Sequence, residues 1–230
     1  MANSDNSLLV EKYRPSKLEN YVGNENIKKS ISKYLDQNDI QNLIFYGPAG
    51  TGKTYLAILA AIQAMRNREC DRIVLCRPSV SIEDENHGFL PGTLTEKLAP
   101  WVRPMVDVLH EFYAVKEVEL MLAEQTVEFA PLGYMRGRTF KNTWIIADEM
   151  QNATPTQLKM LLTRIGTNSK IVITGDADQS DIKHGNNALV DLCERLQKGG
   201  GVKGIVVCPL ENRDIQRHPI ISKILEIYKD

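Results

Sequence analysis

Residues 47 to 54 read Gly47-Pro48-Ala49-Gly50-Thr51-Gly52-Lys53-Thr54, a full-length G-x-x-x-x-G-K-[ST] pattern. It follows an apolar run, Leu43-Ile44-Phe45-Tyr46, and precedes an Ala/Leu/Ile-rich run from Leu56 to Met65. A glycine-rich turn between a buried strand and a helix has few structural solutions, and the phosphate-binding loop is the one this spacing fits. The glycines let the backbone curl so that successive N–H groups converge on phosphate oxygens. The helix starting near Lys53 adds the positive end of its dipole. Lys53 is expected on the β- and γ-phosphates, the Thr54 hydroxyl on Mg²⁺, and Tyr55 beside the loop. The implied cofactors are ATP and Mg²⁺.

Strand-like and helix-like segments alternate along most of the chain, and residues Ser7 to Gln41, before the first core strand, read as a polar arm followed by a short helix, Asn24 to Leu35. Strands are predicted over Asn42 to Tyr46, Arg72 to Cys76, Thr126 to Ala130, Thr143 to Ala147, Lys170 to Thr174 and Gly204 to Cys208. They are nearly continuous apolar runs, as expected of strands covered on both faces. Helices are predicted over Lys53 to Asn67, Leu94 to Tyr113, Val115 to Glu124, Pro155 to Ile165, Gly185 to Gln197 and Arg217 to Lys229. Pro100 and Pro104 should kink or split the second of these. Its Trp101, Met105, Leu109 and Phe112 recur at helical spacing and read as a core-facing stripe. The fold class expected is α/β: a P-loop NTPase with a RecA-like parallel β-sheet flanked by helices.

A second carboxylate-bearing strand end completes the site. Trp144-Ile145-Ile146-Ala147 runs into Asp148-Glu149. In a parallel sheet the ligand lies beyond the carboxyl ends of the strands, so Asp148 should share the crevice with Lys53. Asp148 would hold Mg²⁺ through water, and Glu149 would polarise the attacking water. A third strand ends in Thr174-Gly175-Asp176-Ala177-Asp178-Gln179, where Asp176 and Gln179 are candidates to sense the γ-phosphate or orient the water.

Composition narrows the partners. The net charge is −1 over 230 residues, so a nucleic-acid surface would have to be a local patch or pore. No apolar stretch reaches the roughly 20 residues of a membrane-spanning helix. The polar start, Met1 to Ser7, has no signal-peptide core, and the expectation is a cytoplasmic protein without membrane attachment. The four cysteines are far apart and read as buried thiols, not as disulfides or zinc ligands. No metal role is expected for His87 or His218.

These motifs, with the segments between them, resemble the PhoH family of ATPases from about Asn42 to Tyr228. The matching blocks include Cys76-Arg77-Pro78, Gly88-Phe89-Leu90-Pro91-Gly92, Pro131 to Thr139, Asp148 to Asn152, Leu162-Thr163-Arg164, Thr174-Gly175-Asp176 and Asp214 to Pro219. The family's core is similar to the first motor domain of superfamily-one helicases. The resemblance implies ATP hydrolysis tied to RNA metabolism, in a bacterium or a phage-infected one. Asp181-Ile182-Lys183-His184-Gly185 departs from the family's usual block by lacking its proline and strong base. The arm, residues 1–41, is similar instead to the start of a AAA+ clamp-loader subunit. That likeness implies that Tyr13, Arg14, Pro15 and Val22, with Val10 and Tyr21, frame the adenine; a purely structural arm clipped across the sheet edge is the other reading. Residues 42–230 then form the PhoH-like ATPase domain.

One such domain leaves a side of the γ-phosphate open to water. An arginine supplied in trans contributes roughly 10³ to 10⁵ in rate in well-studied nucleotidases. A homo-oligomer, a hexameric ring, is therefore expected. Arg217 is the first choice for the arginine, acting in cis or in trans, and Arg164, Arg213, Arg136 and Arg138 are others. Arg136 and Arg138 have two further readings, a nucleic-acid backbone contact and a solvated turn. Arg77 stands at a strand end, where phosphate, nucleic acid or a structural ion pair would each suit it. The function expected is an Mg²⁺-dependent ATPase coupled to RNA or single-stranded nucleic acid. The alternative is a clamp-loader-like ATPase that remodels a protein complex.

Overall fold

The computed structural model describes residues 29, 42–78, 94–176, 187–211 and 214, with backbone alone over 94–101. Six strands form one sheet: β1 (Asn42–Tyr46), β2 (Arg72–Arg77), β3 (Val127–Pro131), β4 (Thr143–Ala147), β5 (Lys170–Gly175) and β6 (Ile205–Pro209). Their order is β3-β2-β4-β5-β1-β6, and every pairing is parallel. The fold is the expected P-loop α/β architecture, with the sequence G-x-x-x-x-G-K-T joining β1 to the helix Lys53–Arg66.

Alternation along the strands builds two cores. Leu43, Phe45, Ile73, Leu75, Trp144, Ile146 and Val172 face one side, against α1 (Lys53–Arg66), α2 (Leu94–His110) and α3 (Val115–Ala123). Ile44, Val74, Cys76, Ile145, Ala147, Ile171 and Ile173 face the other, against α4 (Pro155–Leu162) and α5 (Ala188–Lys198). The inner strands β1, β2, β4 and β5 thus bury both faces, which is why their sequences show no polar alternation, whereas β3 and β6 at the ends of the order are only part-buried. Helix α1 is buried nearly all round, from Leu56 to Ile62 and again at Ala64. It is the rigid shaft behind the phosphate loop.

All four cysteines are free and buried. Burial pushes the Cys70 and Cys208 thiols up to about 11. Cys76 goes higher still, from complete burial first and the nearby Asp148 charge second. They stay protonated at neutral pH and behave as small apolar groups.

Two sequence expectations need correction. Helix α2 is one continuous element through Pro100 and Pro104, so it is not split there. The complete burial of Met105 and Leu109, with Val102 nearly so, offsets the hydrogen bonds the prolines cannot make. Helix α4 ends at Leu162 instead of Ile165. There the chain turns so that Phe140 N donates to Arg164 O at 3.0 Å and Ile165 bridges to Phe140. The predicted helix over 217–229 lies outside the described residues.

Candidate functional site

The loop between β1 and α1 is shaped by its glycines. Gly47 has φ 149°, and a Cβ there would sit 2.3 Å from the Leu210 carbonyl oxygen. Leu210 is held over the loop base by donating its N–H to Tyr46 O at 2.8 Å. Gly50 and Gly52 follow at φ 84° and 77°, the left-handed region that favours glycine. Gly52 caps α1 without any side chain, and no acid stands in the first turn. The positive end of the α1 dipole therefore faces the loop with no acidic side chain of the helix's own first turn beside it, as suits an anion. Thr51, fully buried, donates its hydroxyl to Pro48 O at 2.9 Å and closes the turn. Lys53 folds back over the loop, its Nζ donating to Gly47 O at 2.6 Å and Pro48 O at 2.7 Å. Tyr55 turns its ring toward Phe112, with centroids 6.0 Å apart, and packs against the core.

The end of β4 meets this loop across β5. Asp148 is 1% exposed. Its Oδ1 accepts from Thr54 Oγ1 at 2.7 Å and also from Thr174 Oγ1 at the end of β5. Its Oδ2 accepts from Arg77 Nε at 2.8 Å and Nη2 at 2.5 Å. The strand order explains the convergence: β2, β4, β5 and β1 are neighbours, so Arg77, Asp148, Thr174 and the loop line up along one edge of the sheet. The two oxygens stand side by side, and Thr54 and Asp148 would together hold a magnesium ion, directly or through its water.

Glu149 is half-buried and has φ 55°, an uncommon conformation for a residue with a side chain. Its Oε2 accepts from Gln151 Nε2 at 2.6 Å. Gln151 Oε1 in turn accepts from Asp176 N at 3.0 Å. Asp176 is 5% exposed at the tip of β5. Lys53, Thr54, Asp148, Glu149 and Asp176 thus come together at the carboxyl ends of three strands. Gln179, Arg213, Arg217, Tyr13, Arg14, Pro15 and Val22 lie outside the described residues.

Other candidates sit elsewhere. Arg138 makes a two-pronged pair with Glu128, at 2.5 and 2.8 Å, near the start of β3. That carboxylate raises the guanidinium's pKa further. Arg164 donates to Met160 O and to Arg138 O, at 3.2 and 3.3 Å. Both arginines are at the amino end of the sheet, away from their own phosphate loop. Arg136 is exposed beside them in sequence. Thr174 and Gln151 were given no role from the sequence, although both stand in the blocks that carry the family resemblance, Thr174-Gly175-Asp176 and Asp148 to Asn152.

The Arg77–Asp148 pair has a measurable consequence. The two side chains are 15% and 2% exposed. Arg77→Ala leaves a buried carboxylate with two hydroxyl donors and, among the described residues, no paired counter-charge. The nucleotide-free protein should lose about 3 kcal/mol of stability, the lower end for a broken buried pair. Urea unfolding checks this; a loss under 1 kcal/mol would show the pair to be solvent-compensated.

A family model described as PhoH-like protein matches residues 23–229. A PhoH-like protein of Synechocystis is 43% identical over 202 residues, covering 88% of this chain and 60% of the relative. One from Bacillus subtilis is 44% identical over 197 residues, covering 85% and 61%. Protein PhoH of Escherichia coli is 40% identical over 199 residues, covering 85% and 55%. The chain therefore spans little more than half the length of these relatives. Two solved structures are similar at a looser level. The Sulfolobus solfataricus SWI2/SNF2 ATPase core in complex with dsDNA has a TM-score of 0.45 at 12% identity, over 80% of this chain and 44% of that one. AMPPCP-bound DnaA from Aquifex aeolicus has a TM-score of 0.39 at 16% identity, over 94% and 56%.

Proposed function

Because the chain belongs to the PhoH family, and its loop, hydroxyl and carboxylates converge as described, we propose that it is an Mg²⁺-dependent ATPase. The observation that carries this reading is the 2.7 Å bond from Thr54 to Asp148. It joins two motifs 94 residues apart in sequence and makes one acidic, hydroxyl-bearing wall beside a glycine-lined anion cradle.

Each residue then has a task. The glycines and the first turn of α1 supply N–H donors for phosphate oxygens. Lys53 exchanges its two loop carbonyls for phosphate. Thr54 and Asp148 would hold magnesium, which neutralises phosphate charge when it is bound. Glu149 accepts a proton from the attacking water. Asp176 and Gln179 complete the far side. Residues 1–41 frame the adenine through Tyr13, Arg14, Pro15 and Val22, and residues 42–230 form the ATPase domain. Hydrolysis is coupled to RNA or single-stranded nucleic acid, and an arginine of a neighbouring copy, with Arg217 the first choice, completes a hexameric ring. The in-trans requirement is supported by Arg138 and Arg164 lying at the far end of their own sheet.

Phosphate release by the purified protein, with and without Mg²⁺, single-stranded RNA and single-stranded DNA, tests this alongside its mass by light scattering. The expected result is magnesium-dependent turnover, raised by single strands, from a six-subunit particle. Stimulation by a protein partner alone would move the reading to a complex-remodelling ATPase. Absence of any heat on titration with Mg-ATP would sink it.

A further inference from the structure

Gln151 stands in a short 3-10 turn, Met150–Asn152, directly after the carboxylate pair. Its side chain is 3% exposed. A glutamine that deep has to satisfy both ends of its amide within the protein. The donor end meets Glu149 Oε2 at 2.6 Å, and the acceptor end meets the Asp176 N–H at 3.0 Å. One rigid amide group therefore spans from the tip of β5 to the carboxylate that follows β4.

The backbone around it is built for that span. Glu149 sits at φ 55°, and its carbonyl accepts from Asn152 N at 3.0 Å, folding residues 149–152 into a tight loop. That fold turns the Glu149 and Gln151 side chains to the same side. Gly175 completes the fit from β5. A Cβ there would lie 2.7 Å from Gln151 Oε1, 2.7 Å from Leu189 Cδ2 and 3.2 Å from Gln151 N. Its φ is not in the positive range, so backbone freedom is not why glycine stands there. The absence of a side chain is what lets the amide reach the Asp176 N–H.

We propose that Gln151 is a positioning residue: its amide fixes the rotamer of Glu149 and ties that rotamer to the position of the β5 tip. This rests on the ATPase reading and deepens it. A glutamate side chain left to itself samples many rotamers, and only a few aim the carboxylate at a water beside the phosphate loop. Gln151 selects among them before any nucleotide arrives. Because its other end is bonded to the backbone of Asp176, a shift of the β5 tip is passed to Glu149 through two hydrogen bonds and no flexible linkage. Asp176 is the same residue that the sequence pattern assigns to the γ-phosphate side. The amide thus links the group that meets phosphate to the group that takes the proton.

Four variants test this. Gln151→Ala removes both bonds. Gln151→Glu keeps an acceptor for Asp176 and the packing volume, but sets a carboxylate against Glu149, so its folding is checked by circular dichroism and urea unfolding before its kinetics are read. Gly175→Ala pushes the amide out of place without touching Gln151 itself. Glu149→Gln is the background for a double-mutant cycle. The three single changes at 151 and 175 should each lower kcat roughly 10- to 100-fold, the scale of a misplaced catalytic group. KM and the Mg-ATP dissociation constant should stay within threefold. Adding Gln151→Ala to Glu149→Gln should cost no more than a further twofold, since the residue acts through Glu149.

A full multiplicative loss in the double variant, a parallel rise in KM, or a kcat within twofold of the parent for Gln151→Glu would each overturn the proposal. A separate measurement on nucleotide-free protein needs no turnover. One Nε2 proton of Gln151 should resonate downfield of an exposed glutamine amide and return toward it in Glu149→Ala. An unshifted resonance overturns the contact. If that signature is present while the parent protein fails to bind Mg-ATP, the ATPase reading has failed and the tether has not.

Discussion

Lys53→Ala will leave a folded protein that no longer holds Mg-ATP. Its ammonium lies within 2.6 and 2.7 Å of Gly47 O and Pro48 O, so it is parked on the loop it serves. Those carbonyls are neutral partners that water can replace, and the residue is only half-buried. Removing it should therefore change the unfolding midpoint little. Binding is another matter. A unit charge about 4 Å from a phosphate oxygen contributes about 4 kcal/mol at the effective dielectric of a protein surface. At about 1.4 kcal/mol per tenfold, that is close to three orders of magnitude in affinity. Calorimetry with Mg-ATP should register a dissociation constant raised by that order, and turnover should fall below detection. An affinity within tenfold of the parent would mean that the loop between β1 and α1 does not carry the triphosphate.

The contrast between what the chain spells out and what it conceals has a physical basis. All six strands fall within one residue of their predicted bounds, because the four inner ones, buried on both faces, are apolar along most of their length and the two end strands are still rich in apolar and β-branched residues. Helix ends were less legible. Helix α5 starts at Ala188 instead of Gly185, since the Asn187 side chain caps it by accepting from Leu189 N and Val190 N. The phosphate loop is contiguous, so spacing alone announces it. Asp148 announced itself only as the end of an apolar run. Its partners Thr54, Thr174 and Arg77 are 94, 26 and 71 residues away, and they meet only because the sheet sets β2 and β5 on either side of β4, with β1 next to β5. Strand order is a property of crossovers that alternation does not encode. Arg77 illustrates the limit: the sequence offered phosphate, nucleic acid or an ion pair, and only the placement of β2 beside β4 makes Asp148 its partner. The same holds for Arg138, whose loop pattern suits phosphate but whose guanidinium is engaged by Glu128 and stacked 4.6 Å from the Phe140 ring.

Glu149→Gln should separate binding from chemistry, where Lys53→Ala removes both. The two side chains have the same shape, and a glutamine at 149 still offers an oxygen to Gln151 Nε2, now 2.6 Å from a carboxylate oxygen. Either residue pays a similar cost for φ 55°. Asp148, with its bonds to Thr54 and Arg77, is untouched. What disappears is the ability to take a proton, a contribution of roughly 10² to 10⁴ in rate for a positioned general base. Turnover should fall by that factor while the Mg-ATP dissociation constant stays within threefold, read by single-turnover phosphate release and calorimetry on the same preparation. A variant with turnover within threefold of the parent would remove Glu149 from the chemistry, and the tether through Gln151 would then be holding a carboxylate with a structural task alone. A variant that loses binding together with turnover would instead place Glu149 in the nucleotide's grip, and the division of labour between the two adjacent carboxylates would have to be redrawn.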